Sequence, residues 1–296
     1  MLSQPNEMNE AGVNEAFKRI LDGVEKVPTL PVVVNSILEL MENPKTSAED
    51  VNRIIRTDQA LAARLLKIVN SAFYGFPRQI STVTQAVVIL GFNAVRSLAL
   101  SASVIQIFGT KSREGFDVRA FWEHSISTGV MANLVGRRIN YPLPEECLIG
   151  GILHGIGKLI LDQYLHNLFM QAVKKAKKEK KLLHHAEREI FGTDHCRVGA
   201  MLAERWKIPL QLVEAINYYP NPGLANFSPT LVSLVHVGNY IARKKRCGDP
   251  GDLVVPKISE DVKKILKITQ TDIDAYLRAA QAELDKVEDL LEKLQE

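Results

Sequence analysis

Histidines on predicted helices are the residues of this chain that could carry chemistry. His124, His154, His195 and His236 lie in segments with helical apolar periodicity, and His154 opens the motif HGIGK. Imidazoles and carboxylates that converge from several helices are suitable ligands for a divalent metal. A single histidine on an apolar helix face is more often a core residue, so the spacing by itself leaves both interpretations open.

The acidic partner of such a metal site is missing from the HGIGK motif. Gly155 follows His154 where a His-Asp pair would place its carboxylate, and glycine has no side chain that could ligate. Neutral imidazoles alone do little to offset a doubly positive charge. Three histidines can still hold zinc with an open fourth position, so a metal bound by three of these histidines stays an alternative.

Carboxylates from other segments would have to complete a catalytic site. Asp162, Glu187 and Asp194 are near enough to the histidines in sequence to be considered. His184 and His185, followed by Glu187, have the composition of an exposed segment. We interpret that run as incidental rather than as a metal site.

The elements that must position these residues are predicted to be helices almost throughout. Helical periodicity covers residues 121–140 and 145–164, which contain His124 and HGIGK. Breaks are predicted at 27–31, 109–117 and 141–144, and no strand is expected beyond a short one near 253–255. The predicted N-caps are Ser47 with Asp50, Thr57 or Asp58, Thr82, and Thr193 or Asp194.

A heptad pattern marks the C-terminal residues. Thr271 with Asp274 forms a capping pattern. Roughly three heptads follow, which is about the minimum length of a coiled coil. The pattern fits either a homodimer contact through the 271–295 helix or a long helix packed on the body of the same chain. Its apolar positions are Ile273, Leu277, Ala280, Leu284, Val287, Leu291 and Leu294.

Charge disfavours nucleic acid and anionic membranes as partners. The chain has 37 basic and 34 acidic residues, for a formal net charge of +3. We interpret the lysines at 174–181 and RKKR at 243–246 as solvated faces. A nucleic-acid-binding regulator becomes an alternative if these two basic clusters share one face. The helix-turn-helix-like segment 80–100 offers few polar side chains for base readout, so core packing is expected there.

Cysteine usage and hydropathy predict a cytoplasmic protein without a membrane segment. Cys147, Cys196 and Cys247 form no CxxC pair, as expected for free thiols in a reducing compartment. The first residues are polar, unlike a signal peptide. No apolar run approaches the ~18 residues of a membrane span.

Longer strings in the sequence resemble a known family. The runs LPVVVNSILELMENP, DQALAARLLKIVNSAFYG and ISTVTQAVVILGFNAVRSLAL resemble the first half of an HDOD domain (HD-related output domain). FWEHSISTGVMANLV, GGILHGIGKLIL and EREIFGTDHCRVGAMLAERWKIP resemble its second half, so the likeness spans about residues 17–245. The resemblance implies an all-helical fold related to HD phosphohydrolases, and a role in bacterial signal transduction without proven enzymatic activity.

The resemblance also carries expectations for single residues. His124, His154 and His195 match metal-binding histidines of HD hydrolases, and Gly155 replaces the aspartate of the His-Asp pair. Lys158 occupies the position that contacts phosphate in active relatives. The metal ligands are therefore expected to be incomplete.

Two further positions depart from the hydrolase pattern. Tyr218 and Tyr219 stand where catalytic relatives have a His pair, and Asn239 replaces a carboxylate. We expect a vestigial or ligand-binding pocket with no catalytic residue and no cofactor. The alternatives are an anion or nucleotide held by the imidazoles and Lys158 without cleavage, or a divalent Fe, Mn or Zn. The predicted pocket comprises His124, His154, Gly155, Lys158, His195, Tyr218, Tyr219 and Asn239.

The sequence thus predicts an all-α protein of two packed helical lobes and a C-terminal helix. The N-terminal lobe is assigned to residues 1–112, the HD-like lobe to 113–248 and the C-terminal extension to 249–296. The predicted function is a non-catalytic signalling module that contacts a signalling protein or a small ligand. A metal-dependent phosphohydrolase acting on a nucleotide or phosphomonoester is the first alternative, and a nucleic-acid-binding regulator is the second.

Overall fold

The computed structural model describes residues 10–40 and 46–295 of the chain. These residues form α-helices and one short 3-10 helix but no β-strand, so the all-α prediction is confirmed and the short strand expected near 253–255 is not formed. The helices are α1 (Glu10–Lys26), α2 (Val32–Leu40), α3 (Ala48–Ile55), α4 (Gln59–Val69), α5 (Val83–Leu90), α6 (Phe92–Phe108), α7 (Val118–Arg138), α8 (Pro144–Leu153), α9 (Gly157–Glu179), α10 (Leu183–Phe191), α11 (His195–Arg205), α12 (Leu210–Tyr218), α13 (Pro229–Lys244), α14 (Glu260–Leu266), α15 (Gln270–Leu284) and α16 (Val287–Gln295).

Most of the predicted helix starts carry the expected caps. Ser47 and Asp50 form a reciprocal capping box at α3, and Thr82 accepts from the Gln85 amide at α5. Of the paired candidates, the caps are Asp58 at α4 and Asp194 at α11. Each of these oxygens satisfies a backbone N–H that has no partner inside the helix.

Three closely packed helices position His124, His154 and Asn239 of the predicted pocket. Helix α7 packs along α8 and α13, and the latter two contact each other. Small residues at the crossings allow this approach: a Cβ on Gly151 of α8 would collide with the backbone of Gly129 in α7. A Cβ on Gly238 of α13 would lie 2.8 Å from the Ala132 amide nitrogen of α7. The crossings set the depth of His124, His154 and Asn239 in the fold.

The C-terminal residues form two helices rather than the single helix predicted. Helix α15 ends at Leu284, α16 begins at Val287, and the capping box at the start of α15 uses Thr269 with Asp272 instead of Thr271 with Asp274. Helix α15 packs on α7, and α16 packs on α4, α6 and α7. The buried seam positions are Ile273, Ala280, Val287, Leu291 and Leu294.

This burial agrees with the second interpretation of the heptad pattern, a helical segment packed on the body of the same chain. A homodimer contact through the 271–295 segment stays a prediction. The Asp289 carboxylate of α16 also accepts a 2.7 Å hydrogen bond from the Ala72 amide, far away in sequence. The lobe bounds 1–112, 113–248 and 249–296 remain a prediction.

Two further sequence expectations can be compared with the fold. Helix α6 buries Ala94, Val95, Leu98, Ala99 and Leu100, so this segment is core rather than a recognition helix. Among the described residues, no helix is long and apolar enough to span a bilayer.

Candidate functional site

The structure brings together three histidines from different helices. His124 lies in the second turn of α7, His154 directly after α8, and His195 at the first position of α11. Each is at most 1 % exposed. The His124 and His154 rings lie 5.6 Å apart between centroids, and Tyr219 lies 4.6 Å from His154 and 6.1 Å from His195.

Oxygen atoms of the protein already face both ring nitrogens of His124. Nδ1 lies 3.1 Å from the Cys247 carbonyl, and Nε2 lies 3.1 Å from Oδ1 of Asn239. The same Oδ1 accepts a 3.0 Å hydrogen bond from Nε of Arg243. Burial, and then the nearby Arg243 charge, lower the pKa of His124 well below its usual value. The ring is therefore neutral and donates its one N–H to one of these oxygens.

His154 has one bound and one unbound nitrogen. Nδ1 donates to the Gly151 carbonyl at 2.5 Å, so the neutral ring carries a lone pair on Nε2. No group among the described residues bonds to that buried Nε2. Burial, and then the Lys158 charge, lower the pKa of His154 well below its usual value.

The space beside Gly155 is taken by neighbouring side chains. A Cβ at this position would lie 3.0 Å from the Phe121 ring and 3.7 Å from Nζ of Lys158. An aspartate here would therefore press on the Phe121 ring and lie beside the ammonium group. The missing carboxylate is accompanied by local packing that fills its place.

Lys158 is a buried cation of the site. It is 1 % exposed, and its Nζ donates a 2.9 Å hydrogen bond to the Pro250 carbonyl. Burial lowers its pKa, the positive charge of Arg243 adds to that effect, and the negative charges of Asp252 and Glu187 oppose it. The ammonium group is thus held by the protein itself.

Glu187, one of the three carboxylates considered from the sequence, is bonded to His195 in the pocket. Predicted to be exposed and incidental, it is fully buried. Its Oε2 accepts hydrogen bonds from the His195 amide at 2.9 Å and from Nδ1 of His195 at 2.6 Å. A usable signal was present, because Leu183, Glu187 and Phe191 share one helix face with a stepping of four.

The Tyr219 hydroxyl forms a hydrogen bond with the other ring nitrogen of His195. The hydroxyl lies 2.7 Å from Nε2 and donates to it, since Nδ1 carries the ring proton toward Glu187. Burial, and then the Lys158 charge, lower the pKa of His195, whereas burial raises the pKa of Glu187. Glu187, His195 and Tyr219 therefore form a closed hydrogen-bonded chain.

A buried ion pair that was not predicted from the sequence lies next to Asn239. Arg243 and Asp252 form an ion pair of 2.6 Å, and Asp252 accepts from the Leu183 amide at 2.9 Å. Burial would raise the pKa of Asp252, but the Arg243 guanidinium and these hydrogen bonds hold it below its usual value. The segment 247–252, which contains Asp252, thus closes one side of the pocket.

The other predicted residues lie outside this arrangement. Tyr218 lines a separate cavity of about 710 Å³ with Arg188 and Arg197. Nδ1 of His236 lies 2.7 Å from the Tyr219 carbonyl and Nε2 lies 3.3 Å from the Lys257 carbonyl, so backbone groups hold this ring outside the pocket.

Of the three carboxylates considered, Glu187 alone bonds to one of the pocket histidines, His195. Asp162 pairs with His166 at 2.7 Å, and Asp194 caps α11.

The donor set does not fit a divalent metal. Nε2 of His195 is capped by a hydroxyl and Nε2 of His124 faces an amide oxygen, which leaves the His154 lone pair and the unpartnered Oε1 of Glu187. The described residues contain no group of three or more His, Cys, Asp or Glu side chains arranged to hold a metal ion.

Comparison with known proteins places the chain in a family. Residues 27–222 match the HDOD domain. The chain belongs to the HDOD family. The resemblance derived from the sequence strings is therefore confirmed.

A curated relative matches this HDOD protein at low sequence identity. An uncharacterised protein of Treponema pallidum (strain Nichols) is 25% identical over 226 residues, covering 76% of this chain and 44% of that protein. The chain thus spans less than half the length of this curated relative.

Three crystal structures show the same fold. An HDOD domain protein of unknown function from Geobacter sulfurreducens has a TM-score of 0.77 and 23% identity, over 94% of this chain and 98% of that one. A candidate phosphohydrolase from Shewanella amazonensis SB2B has a TM-score of 0.72 and 24% identity, over 93% and 98%. A candidate signal transduction protein from Marinobacter aquaeolei VT8 has a TM-score of 0.73 and 19% identity, over 99% and 68%.

Proposed function

We propose that this HDOD protein is a non-catalytic regulatory module of bacterial signal transduction. It would act by binding a signalling protein or a small ligand rather than by turning over a substrate. Membership in the HDOD family and the name of the Marinobacter neighbour support the signalling part of the proposal. The chemistry of the histidine pocket supports the non-catalytic part.

The observation that carries the proposal is the positive charge that the protein itself fixes inside the pocket. Lys158 and Arg243 are buried cations, and Glu187 and Asp252 are buried carboxyl groups close enough to influence their charge. A divalent ion would join two fixed cations in a medium of low dielectric, where like charges repel strongly. The Lys158 ammonium group thus supplies positive charge inside the pocket without a metal.

The experiment is a turnover assay with a matched variant. Purified protein is incubated with a phosphomonoester and with nucleotides in the presence of Mn²⁺, Fe²⁺ or Zn²⁺, alongside His154→Asn. The asparagine keeps a donor for the Gly151 carbonyl but removes the lone pair that a metal would need. We expect the same background rate for both proteins. A rate that requires the metal and disappears in His154→Asn would contradict the proposal.

One observation favours a metal-dependent phosphohydrolase as the second candidate. Nε2 of His154 and Oε1 of Glu187 are buried polar atoms without a partner among the described residues, and such atoms normally have one. Rotation of Tyr219 away from His195 would free a third donor. The same assay applied to Tyr219→Phe separates the candidates, because activity gained by that variant would favour the hydrolase.

A further inference from the structure

Two basic segments that are far apart in sequence meet at one groove. Adjoining cavities of about 740 Å³ and 430 Å³ share Lys244 and Val255 in their linings. We call them together the basic groove. Its cationic side chains come from α9, α13 and the residues after α13: Lys177, Arg243, Lys244, Arg246 and Lys257.

The groove has more positive charge than its own acids neutralise. Asp249 pairs with Lys177 at 3.2 Å, and Asp252 pairs with Arg243 at 2.6 Å. In the part of the chain that the structure describes, no carboxylate pairs with the exposed Lys244, Arg246 or Lys257. Lys244 instead lies 5.7 Å from the centre of the Tyr240 ring. The uncompensated cations predict an anionic occupant.

Apolar side chains lie between these cations. Leu253 is 72% exposed, and Val255 and Ile258 line the groove nearby. An exposed leucine beside unpaired cations matches a ligand that combines carboxylates with apolar side chains.

A polypeptide fits this surface better than a nucleic acid. Single-stranded nucleic acid binds by stacking successive bases on aromatic faces along a positive track. The groove offers one aromatic ring, Tyr240, and Lys244 lies close to it. Its apolar surface is aliphatic, which suits leucine-like side chains of a peptide rather than bases.

We propose that the basic groove is the docking surface for an acidic segment of a partner protein, with an apolar side chain of that segment against Leu253. This rests on the proposed regulatory function and gives the chemistry of the partner.

The groove is also joined to the histidine pocket. Arg243 lines the groove and bonds to Asn239, which faces His124. Pro250 of the groove wall accepts from Lys158. Occupation of the groove therefore bears directly on the residues that hold the pocket closed.

The test measures binding of a defined probe to the full chain by fluorescence anisotropy. The probe is a short fluorescein-labelled peptide in which glutamates flank leucines. Its comparisons are the same peptide with serine for leucine and a single-stranded oligonucleotide of equal formal charge. The protein variants are Lys244→Glu with Arg246→Glu, and Leu253→Ser.

A matched control is Arg53→Glu with Arg278→Glu, which changes the net charge equally at exposed residues that do not line the groove. Circular dichroism and thermal unfolding confirm that each variant folds.

The proposal predicts that groove charge reversal weakens peptide binding by about tenfold, while the control double variant changes it by about twofold or less. Leu253→Ser and the serine peptide should each weaken binding by several-fold. The proposal would be overturned if the leucine peptide bound the groove double variant and the control double variant with equal affinity. It would also be overturned if that peptide did not bind the wild-type protein. An oligonucleotide that binds more tightly than the peptide in a groove-dependent way would overturn it as well.

These results do not depend on turnover. If the peptide does not bind and the protein also shows no turnover, the docking proposal is refuted but the proposed non-catalytic function is not.

Discussion

Replacing His154 with asparagine should make folding stability less sensitive to acid. The imidazole is 1 % exposed, and its pKa is lowered well below the usual value by burial and by Lys158. In the unfolded chain its pKa returns to about 6.5. As the pH falls below that value, the unfolded state binds a proton that the folded state does not. The contribution of the buried neutral ring to the unfolding free energy is therefore fully present above about pH 6.5 and is lost as the pH falls.

The magnitude follows from proton linkage. If the folded ring stays neutral, lowering the pH from about 7.5 to about 5.5 removes about 1.4 kcal/mol of unfolding free energy per buried histidine. His124 and His195 contribute with the same sign, since their pKa values are also lowered. Glu187 contributes with the opposite sign, because burial raises its pKa. The informative quantity is therefore the difference between two proteins rather than either slope alone.

The assay is urea unfolding of wild type and His154→Asn across this pH range. We expect the variant to lose about 1.4 kcal/mol less than wild type on acidification. Gln59→Asn is the control and should leave the slope unchanged, because it replaces an exposed side chain that does not ionise with another that does not ionise. A difference between wild type and His154→Asn below about 0.5 kcal/mol would refute the reasoning, since it would mean that the folded ring is protonated or solvated.

Two other substitutions test the packing around the pocket. Arg243→Leu should lower the unfolding free energy by about 3–5 kcal/mol, because it leaves the buried Asp252 without its partner. The control Arg278→Leu, at an exposed residue, should change it by about 0.5 kcal/mol or less. Equal effects of the two substitutions would contradict the role of the ion pair. Gly151→Ala should prevent α8 from approaching Gly129 of α7 and cost more than about 2 kcal/mol in chemical unfolding, so a neutral result would show that the helices can separate freely.

Local features of the fold were predictable from sequence because they depend on near neighbours. The caps at Ser47 and Asp58 follow from a side chain and a backbone amide three residues apart. The N-cap of α15 was predicted two residues too late. Thr269 with Asp272 and Thr271 with Asp274 have the same spacing, and the sequence alone does not choose between them. The break after Leu284 likewise depends on packing against α4, α6 and α7.

The histidine pocket was predictable only in part. Family resemblance pointed to His124, His154 and His195, and the structure brings them together. The pairing of Arg243 with Asp252 joins α13 to a loop that has no periodicity to interpret. The Pro250 carbonyl accepts a hydrogen bond from Lys158, and because this is a backbone group, sequence motifs do not reveal the contact. Glu187 was among the carboxylates considered, but its histidine neighbours suggested an exposed segment, and only its helix face indicated burial.

The proposed function requires that the buried cations Lys158 and Arg243 leave no place for a divalent ion in this pocket. Equilibrium dialysis of wild type and His154→Asn against Mn²⁺ and Zn²⁺, followed by elemental analysis, tests it directly. We expect the two proteins to retain the same small amount of each metal. One ion per chain in wild type, lost in His154→Asn, would contradict the claim.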